Sequence, residues 1–354
     1  MTFAGSAAIA AATTLVLSLL LPFAVKPMLM KLGIMDVPNA RSSHVRPVLR
    51  GLGLAVLIAM AAGYGVGLIS QGADHPGWYS LLVIGLGAVL SGLLGLREDL
   101  KGLSVPVRSA VLLAIAAGSA IALVTSAERS GGVAFTWVAG MPVTDVSMVT
   151  LVILVIYAVL FISSYINVAN FVDGLNGISG FHGVIAGLAF AAAGAIVGEW
   201  WLTVSGGVLA AGYAGFLPWN FSKTGAFLGD VGSYLLGGAT AVTSFAALLA
   251  GVPLLATIGP MIICFGDVGV TLVKRVRAGK KWDEPHKEHV YQRIQQLGYT
   301  HAQASGIAAL CSLVAAGLGL ISCFTGLLGT ALLLIAGIAV LGVYLALPKL
   351  LPAR

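Results

Sequence analysis

The sequence predicts an all-α fold, one polytopic membrane bundle of about eleven transmembrane helices with residues 1–354 forming a single domain. Two observations predict it. Of 354 residues 58% are hydrophobic and only 9% charged, where soluble domains carry about 25% charge. Apolar runs of roughly 18 to 22 residues also recur from end to end, the length a helix needs to cross a bilayer. The runs are continuous rather than alternating, which argues against the strands of a membrane barrel.

In order, the expected spans cover roughly residues 5–25, 51–70, 78–96, 108–127, 147–166, 178–197, 200–218, 231–249, 254–273, 303–323 and 326–347. The first has no basic residue ahead of it and Lys26 just behind it. That is the reverse of a signal peptide's polarity, so it reads as a retained helix. With the N-terminus outside, the inner segments are 26–50, 97–107, 167–177, 219–230, 274–302 and 348–354. They hold seventeen of the nineteen Lys and Arg, leaving Arg108 at an inner helix end and Arg129 outside. The positive-inside rule thus places the N-terminus in the periplasm and the C-terminus in the cytoplasm. The net charge of +6 then faces anionic lipid and an anionic substrate, and is no sign of nucleic-acid binding. Trp78, Trp137, Trp200 and Trp201 fall near outer helix ends, as an aromatic belt requires. Cys264, Cys311 and Cys323 lie within spans without metal-ligand spacing and read as small core residues.

The polar residues gather in the inner connections. The first, Met35 to Gly51, carries Arg41, Arg46, Arg50 and His44 among rigid turn residues. Forked guanidinium donors suit phosphate, and the same composition also serves an ordinary positive-inside loop. The second begins at Gly95 and holds Glu98 and Asp99 between Arg97 and Lys101. Adjacent carboxylates at a helix end bind a divalent cation, hold a cationic partner or accept a proton; a solvated pair neutralised by its basic neighbours is the alternative.

The third connection follows the apolar run Met148 to Ile166. There Asn167, Asn170, Asp173 and Asn176 recur every third residue, a spacing that lines one helical face. Gly174 and Gly177 would stop or turn that helix. Amides and a carboxylate at a membrane mouth are costly unless something polar binds there; a polar packing seam is the other reading. In the fourth, Asp230 precedes a new span and Ser233 follows in its first turn. Asp230 reads both as a helix N-cap and as a carboxylate that holds magnesium against a phosphate.

Asp267 lies in the ninth span, about seven residues before Lys274, or roughly 10 Å inside the helix end. It reads as a functional intramembrane acid or as a partner of Lys274 or Arg275. The last connection is the most basic. Its His286 and His289 are three apart, suited to one helical face, and no Cys nearby completes a zinc site. They read as phosphate or nucleotide contacts, or as a plain surface pair.

Five of these stretches together resemble the bacterial polyprenyl-phosphate N-acetylhexosamine-1-phosphate transferases: DVPNARSSHVRPVLRG (36–51), GLREDLKGLS (95–104), NVANFVDGLNG (167–177), FLGDVGS (227–233) and PHKEHVYQR (285–293). They stand in that superfamily's order, all on the expected cytoplasmic side. The superfamily includes the enzyme that makes lipid I and those that start O-antigen, enterobacterial common antigen and teichoic acid. This chain departs from it in two places. Glu98 stands where the family usually has a first Asp, and the last loop has His-x-x-His followed by Tyr-Gln-Arg in place of a triple His. The second departure is nearer the O-antigen-initiating branch and disfavours a MurNAc-pentapeptide substrate.

The resemblance implies transfer of a sugar-1-phosphate from a UDP-N-acetyl sugar to undecaprenyl phosphate, with Mg2+, or Mn2+ in its place. It implies Asp99, Asp173 and Asp230 as the catalytic acids, with Asp230 and Asn170 at the metal. Arg41, His44, Glu98, Lys101, Asn167, Asn170, Asn176, His286, His289 and Arg293 would hold substrate or its phosphates. Neighbours on a helix point about 100° apart, so Asp99 is expected to face the cleft and Glu98 to turn toward Lys101 or the lipid phosphate. Direct attack and a covalent Asp intermediate both stay open. The expected setting is the inner membrane, with the site on the cytoplasmic face, membrane lipids as neighbours and a homodimer admitted. The rival reading is a secondary transporter of an anionic or nucleotide-linked solute, with polar groups at the midplane and a repeat; a binding or flipping component without chemistry is another.

Overall fold

The computed structural model describes residues 2–36, 48–129, 133–144, 146–222, 226–281 and 286–354. The chain opens with α1 (Phe3–Leu20) and α2 (Pro22–Lys31), which meet at an angle of 42°. Pro22 begins α2 and lacks the N–H that would continue the ladder, so the break falls there. Next come α3 (Gly53–Gln71), α4 (Trp78–Lys101), α5 (Val105–Arg129), α6 (Met148–Val172), α7 (Ile178–Val197), α8 (Trp200–Asn220) and α9 (Gly229–Leu249). The ninth expected span is α10 (Leu254–Ile258), a 3₁₀ turn and α11 (Ile262–Arg277); after it stand the short α12 (Val290–Gln296), then α13 (His301–Ile321) and α14 (Leu327–Leu350).

Among the described residues ten helical stretches are long and apolar enough to cross a membrane, and the bent α1–α2 pair makes an eleventh. The bundle expected from the sequence is therefore present. Two spans run further than their apolar cores. α4 continues to Lys101 and α6 to Val172, so Glu98, Asp99, Asn167 and Asn170 all stand on helix. Strands, which the sequence argued against, occur as two small hairpins in connections: β1 (Met35–Asp36) with β2 (Val48–Leu49), and β3 (Phe135–Val138) with β4 (Met141–Val143).

The bundle is built around α9. Every residue from Gly229 to Leu248 except Asp230 is buried. Its Gly, Ala, Ser and Thr allow neighbours to approach closely. A Cβ added at Gly95 of α4 would land on the backbone of Asp230 and Val231, one at Gly237 on Ile166 of α6, and one at Gly53 of α3 on Gly232. By contrast only Thr330 and Tyr344 of α14 are buried, and just over half of that helix is Leu, Ile or Val. Cys264 is buried and all three Cys are unpaired.

Candidate active site

The ends of α4, α6 and α9 meet at one end of the bundle. Asp230 was read from the sequence as the N-cap of its own helix; the structure corrects this. Leu228 occupies the cap position without a side-chain bond, and Asp230 stands in the first turn. The cap comes from α4. Asp99 Oδ1 accepts the N–H of Asp230 at 3.1 Å and Oδ2 that of Val231 at 2.9 Å, satisfying donors that a helix start leaves open. Gly95, one turn back on α4, lets the two helices touch.

Arg50, one of the forked donors of the first inner connection but not among the expected site residues, lies between the two acids. Its Nε is 2.8 Å from Asp99 Oδ1 and one terminal nitrogen donates to Asp230 Oδ2 at 2.7 Å. Backbone pairing brings it there. Phe227 N–H donates to Leu49 O, while Leu52 and Gly53 N–H donate to Phe227 and Leu228 O. The segment after β2 thus runs as a strand-like clip along the start of α9. The signal in the sequence was an Arg immediately before Gly51, at the mouth of a span. Asn170 completes the cluster, donating to Asp230 Oδ1 at 2.8 Å and Ser233 Oγ at 3.0 Å. Side-chain exposure is 2% for Asp99 and 19% for Asp230, so Asp230 is the carboxylate open to a ligand.

Asp173 ends α6 as its C-cap. Ser179 Oγ donates to its Oδ1 at 2.7 Å. Burial pushes its carboxyl up to about 7; the Ser179 bond opposes that rise, and the charge of Asp230 adds to it. The turn that follows is fixed by Gly177, whose φ of 90° suits Gly alone. Its N–H donates to Asn220 Oδ1 at 2.5 Å, and the Asn220 amide donates on to Ala226 O at 3.0 Å. Asn176 therefore lies beyond the helix rather than on its polar face. Its backbone, not its side chain, makes the recorded bonds, to His301 and Ser305. Asn167 donates to Ser163 O one turn back and is not joined to the cluster.

A pH dependence follows from Asp173. Its folded carboxyl holds its proton above the ordinary carboxylate range, so the native state binds that proton more tightly than the unfolded chain does. The stability this gives is fully present below about pH 4 and is lost as pH rises through about 7. Melting curves should show the loss in the wild type, and Asp173→Asn should remove that segment of the profile.

Glu98 turns away from the acids. Its Oε1 lies 3.5 Å from Arg108 NH1 at the start of α5, not beside Lys101, whose side chain is exposed. Glu98→Gln should accordingly cost several-fold less turnover than Asp99→Asn, measured with both substrates saturating. Equal losses would place Glu98 at the reacting groups.

The last connection is arranged differently from its sequence reading. His286 and His289 do not share a helix: both precede α12, with His289 as its N-cap. Their rings are nevertheless 4.8 Å apart. Burial, then the neighbouring His289 and Arg275, lowers His286 to about 4. Asp267 does not pair with Lys274 or Arg275. It meets His289 Nδ1 at 3.3 Å, while Arg275 bonds Glu288 at 2.6 Å. Arg293 lines a separate groove of about 150 Å³ with Lys274 and Glu288. α12 reaches the central cluster through Tyr291, whose OH donates to Phe171 O at 3.2 Å. Arg41 and His44 lie outside the described residues.

Residues 81–248 match the model of glycosyl transferase family 4. The chain is similar to this family over just under half of its length. Among similar proteins is the decaprenyl-phosphate N-acetylglucosaminephosphotransferase of Mycobacterium tuberculosis, 31% identical over 159 residues, 40% of this chain and 39% of that protein. Its counterpart in Mycolicibacterium smegmatis is 34% identical over 113 residues, 27% of each chain. A probable undecaprenyl-phosphate N-acetylglucosaminyl 1-phosphate transferase of Bacillus subtilis is 28% identical over 290 residues, 78% of this chain and 74% of that one. The chain thus spans about two fifths or less of the mycobacterial relatives it matches. The family region contains Asp99, Asn170, Asp173 and Asp230; Arg50, Asp267 and His289 stand outside it.

Proposed function

We propose that this protein is a member of glycosyl transferase family 4 that transfers N-acetylhexosamine-1-phosphate from a UDP-sugar to undecaprenyl phosphate, releasing UMP and opening the assembly of a surface polysaccharide or other envelope glycan. The observation that carries this reading is the Asp99–Arg50–Asp230–Asn170 cluster, assembled at the ends of membrane helices. Both reactants are polyanions and one is held in the bilayer, so the reaction calls for cations and oxygen donors at the interface. UDP-N-acetylglucosamine is the first donor to try, because the relatives are named for that sugar. A transporter would place its polar groups at the midplane, whereas these stand at helix ends.

The donor set fits Mg2+. Asp230 and Asn170 offer oxygen, with Ser233 Oγ adjacent. No group of three or more His, Cys, Asp or Glu suited to a metal occurs among the described residues. Mg2+ is commonly bound by one or two protein oxygens together with substrate phosphates and water. Asp230 and Asn170 would hold the ion, which when bound would neutralise charge on the diphosphate. Arg50 would gather phosphate oxygens, Asp99 would hold Arg50 and the start of α9 in place, and Asp173 would carry or accept a proton beside them.

Purified protein given undecaprenyl phosphate and a panel of UDP-sugars should release UMP only when both substrates are present, with the lipid-linked sugar phosphate detected by mass. Absence of UMP with every donor overturns the proposal. The cytoplasmic location of the site has its own test. Cysteines introduced at Ser104, Lys223 and Lys281 should label only from the cytoplasm, and one at Gly131 only from outside. Labelling at Lys281 from outside reverses the topology.

A further inference from the structure

Asp267 is the one acidic residue buried as a whole among the described residues, 1% exposed and inside α11. An acid there is costly in a membrane span, and the proposed reaction leaves it unused. Its neighbours come from three directions. Thr271 Oγ1 donates to Oδ1 at 3.2 Å from the next turn of α11. The Val290 N–H, first in α12, donates to Oδ1 and Oδ2 at 3.1 and 3.2 Å. Tyr344 OH of α14 donates to Oδ2 at 2.8 Å. His289 Nδ1 lies 3.3 Å from Oδ1.

Hydroxyl, amide and phenol all donate into this carboxylate, so it acts as an acceptor toward each neighbour. The ring nitrogen facing it then carries the proton, and Nε2 is left as the nitrogen for other contacts. Apolar packing would close the same junction without the desolvation cost. What an acid adds is a fixed ring and a pinned first turn of α12. That turn abuts the central cluster. A Cβ at Gly174, next to Asp173, would meet Tyr291 OH at 2.8 Å and Gln292 Nε2 at 3.0 Å.

We infer that Asp267 is a positioning residue that holds His289 by Nδ1 and seats α12 against the turn after α6, setting the side of the site that receives the nucleotide. What His289 touches rests on the transferase reading above; the Asp267–His289 pairing does not. In nanodiscs, Asp267→Asn should raise KM for the UDP-sugar about tenfold and leave KM for the lipid phosphate unchanged, within the range of coupled neighbours. In a His289→Gln background the same change should add less than about twofold. Full additivity of the two losses overturns the inference, as does an equal rise in both KM values. A second arm needs no turnover. In 15N-histidine spectra the resonance removed by His289→Gln should show its proton on Nδ1; an Nε2–H tautomer overturns the inference. If the wild type releases no UMP with any donor, the transferase reading falls, and the spectra still decide the pairing.

Discussion

Asp230→Asn should lower UMP release by about 10²–10³-fold, a loss of about 2.7–4 kcal/mol of transition-state stabilisation. The substitution keeps the size of the side chain and removes its charge. In the native site one carboxylate oxygen is held by Asn170 and the other by Arg50, so the group is aimed before any ligand arrives. Asp99 keeps both backbone bonds to the start of α9 and its contact with Arg50, so the fold should melt near the wild-type temperature. The variant should also lose Mn2+ binding, followed by paramagnetic resonance without substrates. Near-normal turnover with intact Mn2+ binding would remove Asp230 from the reaction.

Gly95→Ala should be nearly as damaging, by a mechanical route. The added Cβ would meet the carbonyl of Asp230 and the N–H of Val231. These are backbone atoms that cannot rotate aside. Overpacking of this kind costs about 1–3 kcal/mol in stability. It also pushes α9 away from the Asp99 carboxylate that caps it, and a displacement of about 1 Å at a reacting site costs about 10²-fold in rate. The control is Gly118→Ala on α5, where a Cβ meets nothing within 4 Å. That change should leave activity intact and not lower the melting temperature. If Gly95→Ala is active and stable, the α4–α9 contact is looser than described.

The helices and the clustering of polar residues at their ends were legible in the sequence, because bilayer thickness imposes a run length that composition alone reveals. So were Asp99, Asn170, Asp173 and Asp230, which stand where apolar sequence gives way. Their partners were not legible. Asp99 caps a helix that begins about 130 residues later, and no local pattern announces a cap supplied from another segment. The same holds for Arg50, carried to Asp230 by backbone pairing across 180 residues, and for Asp267, whose distance from His289 is set by the return of the chain after α11. Asp230 was misread as a cap because Asp before an apolar run has that local meaning; the helix in fact starts one residue earlier, at Gly229 with φ of 77°. His286 and His289 were misread because spacing of three also occurs in a loop that leads into a helix.

The enclosure of α9 also bears on how the molecule is made. Its close neighbours α3, α4, α5, α6, α7, α8 and β3 all precede it in the chain, and the short α10, which also touches it, follows. Synthesis runs from the N-terminus, so the socket is in the membrane before α9 leaves the ribosome. A helix rich in Gly, Ser and Thr thus meets a protein partner at once. The order of the elements in the chain, and not only the final packing, gives the helix that bears Asp230 its protein neighbours.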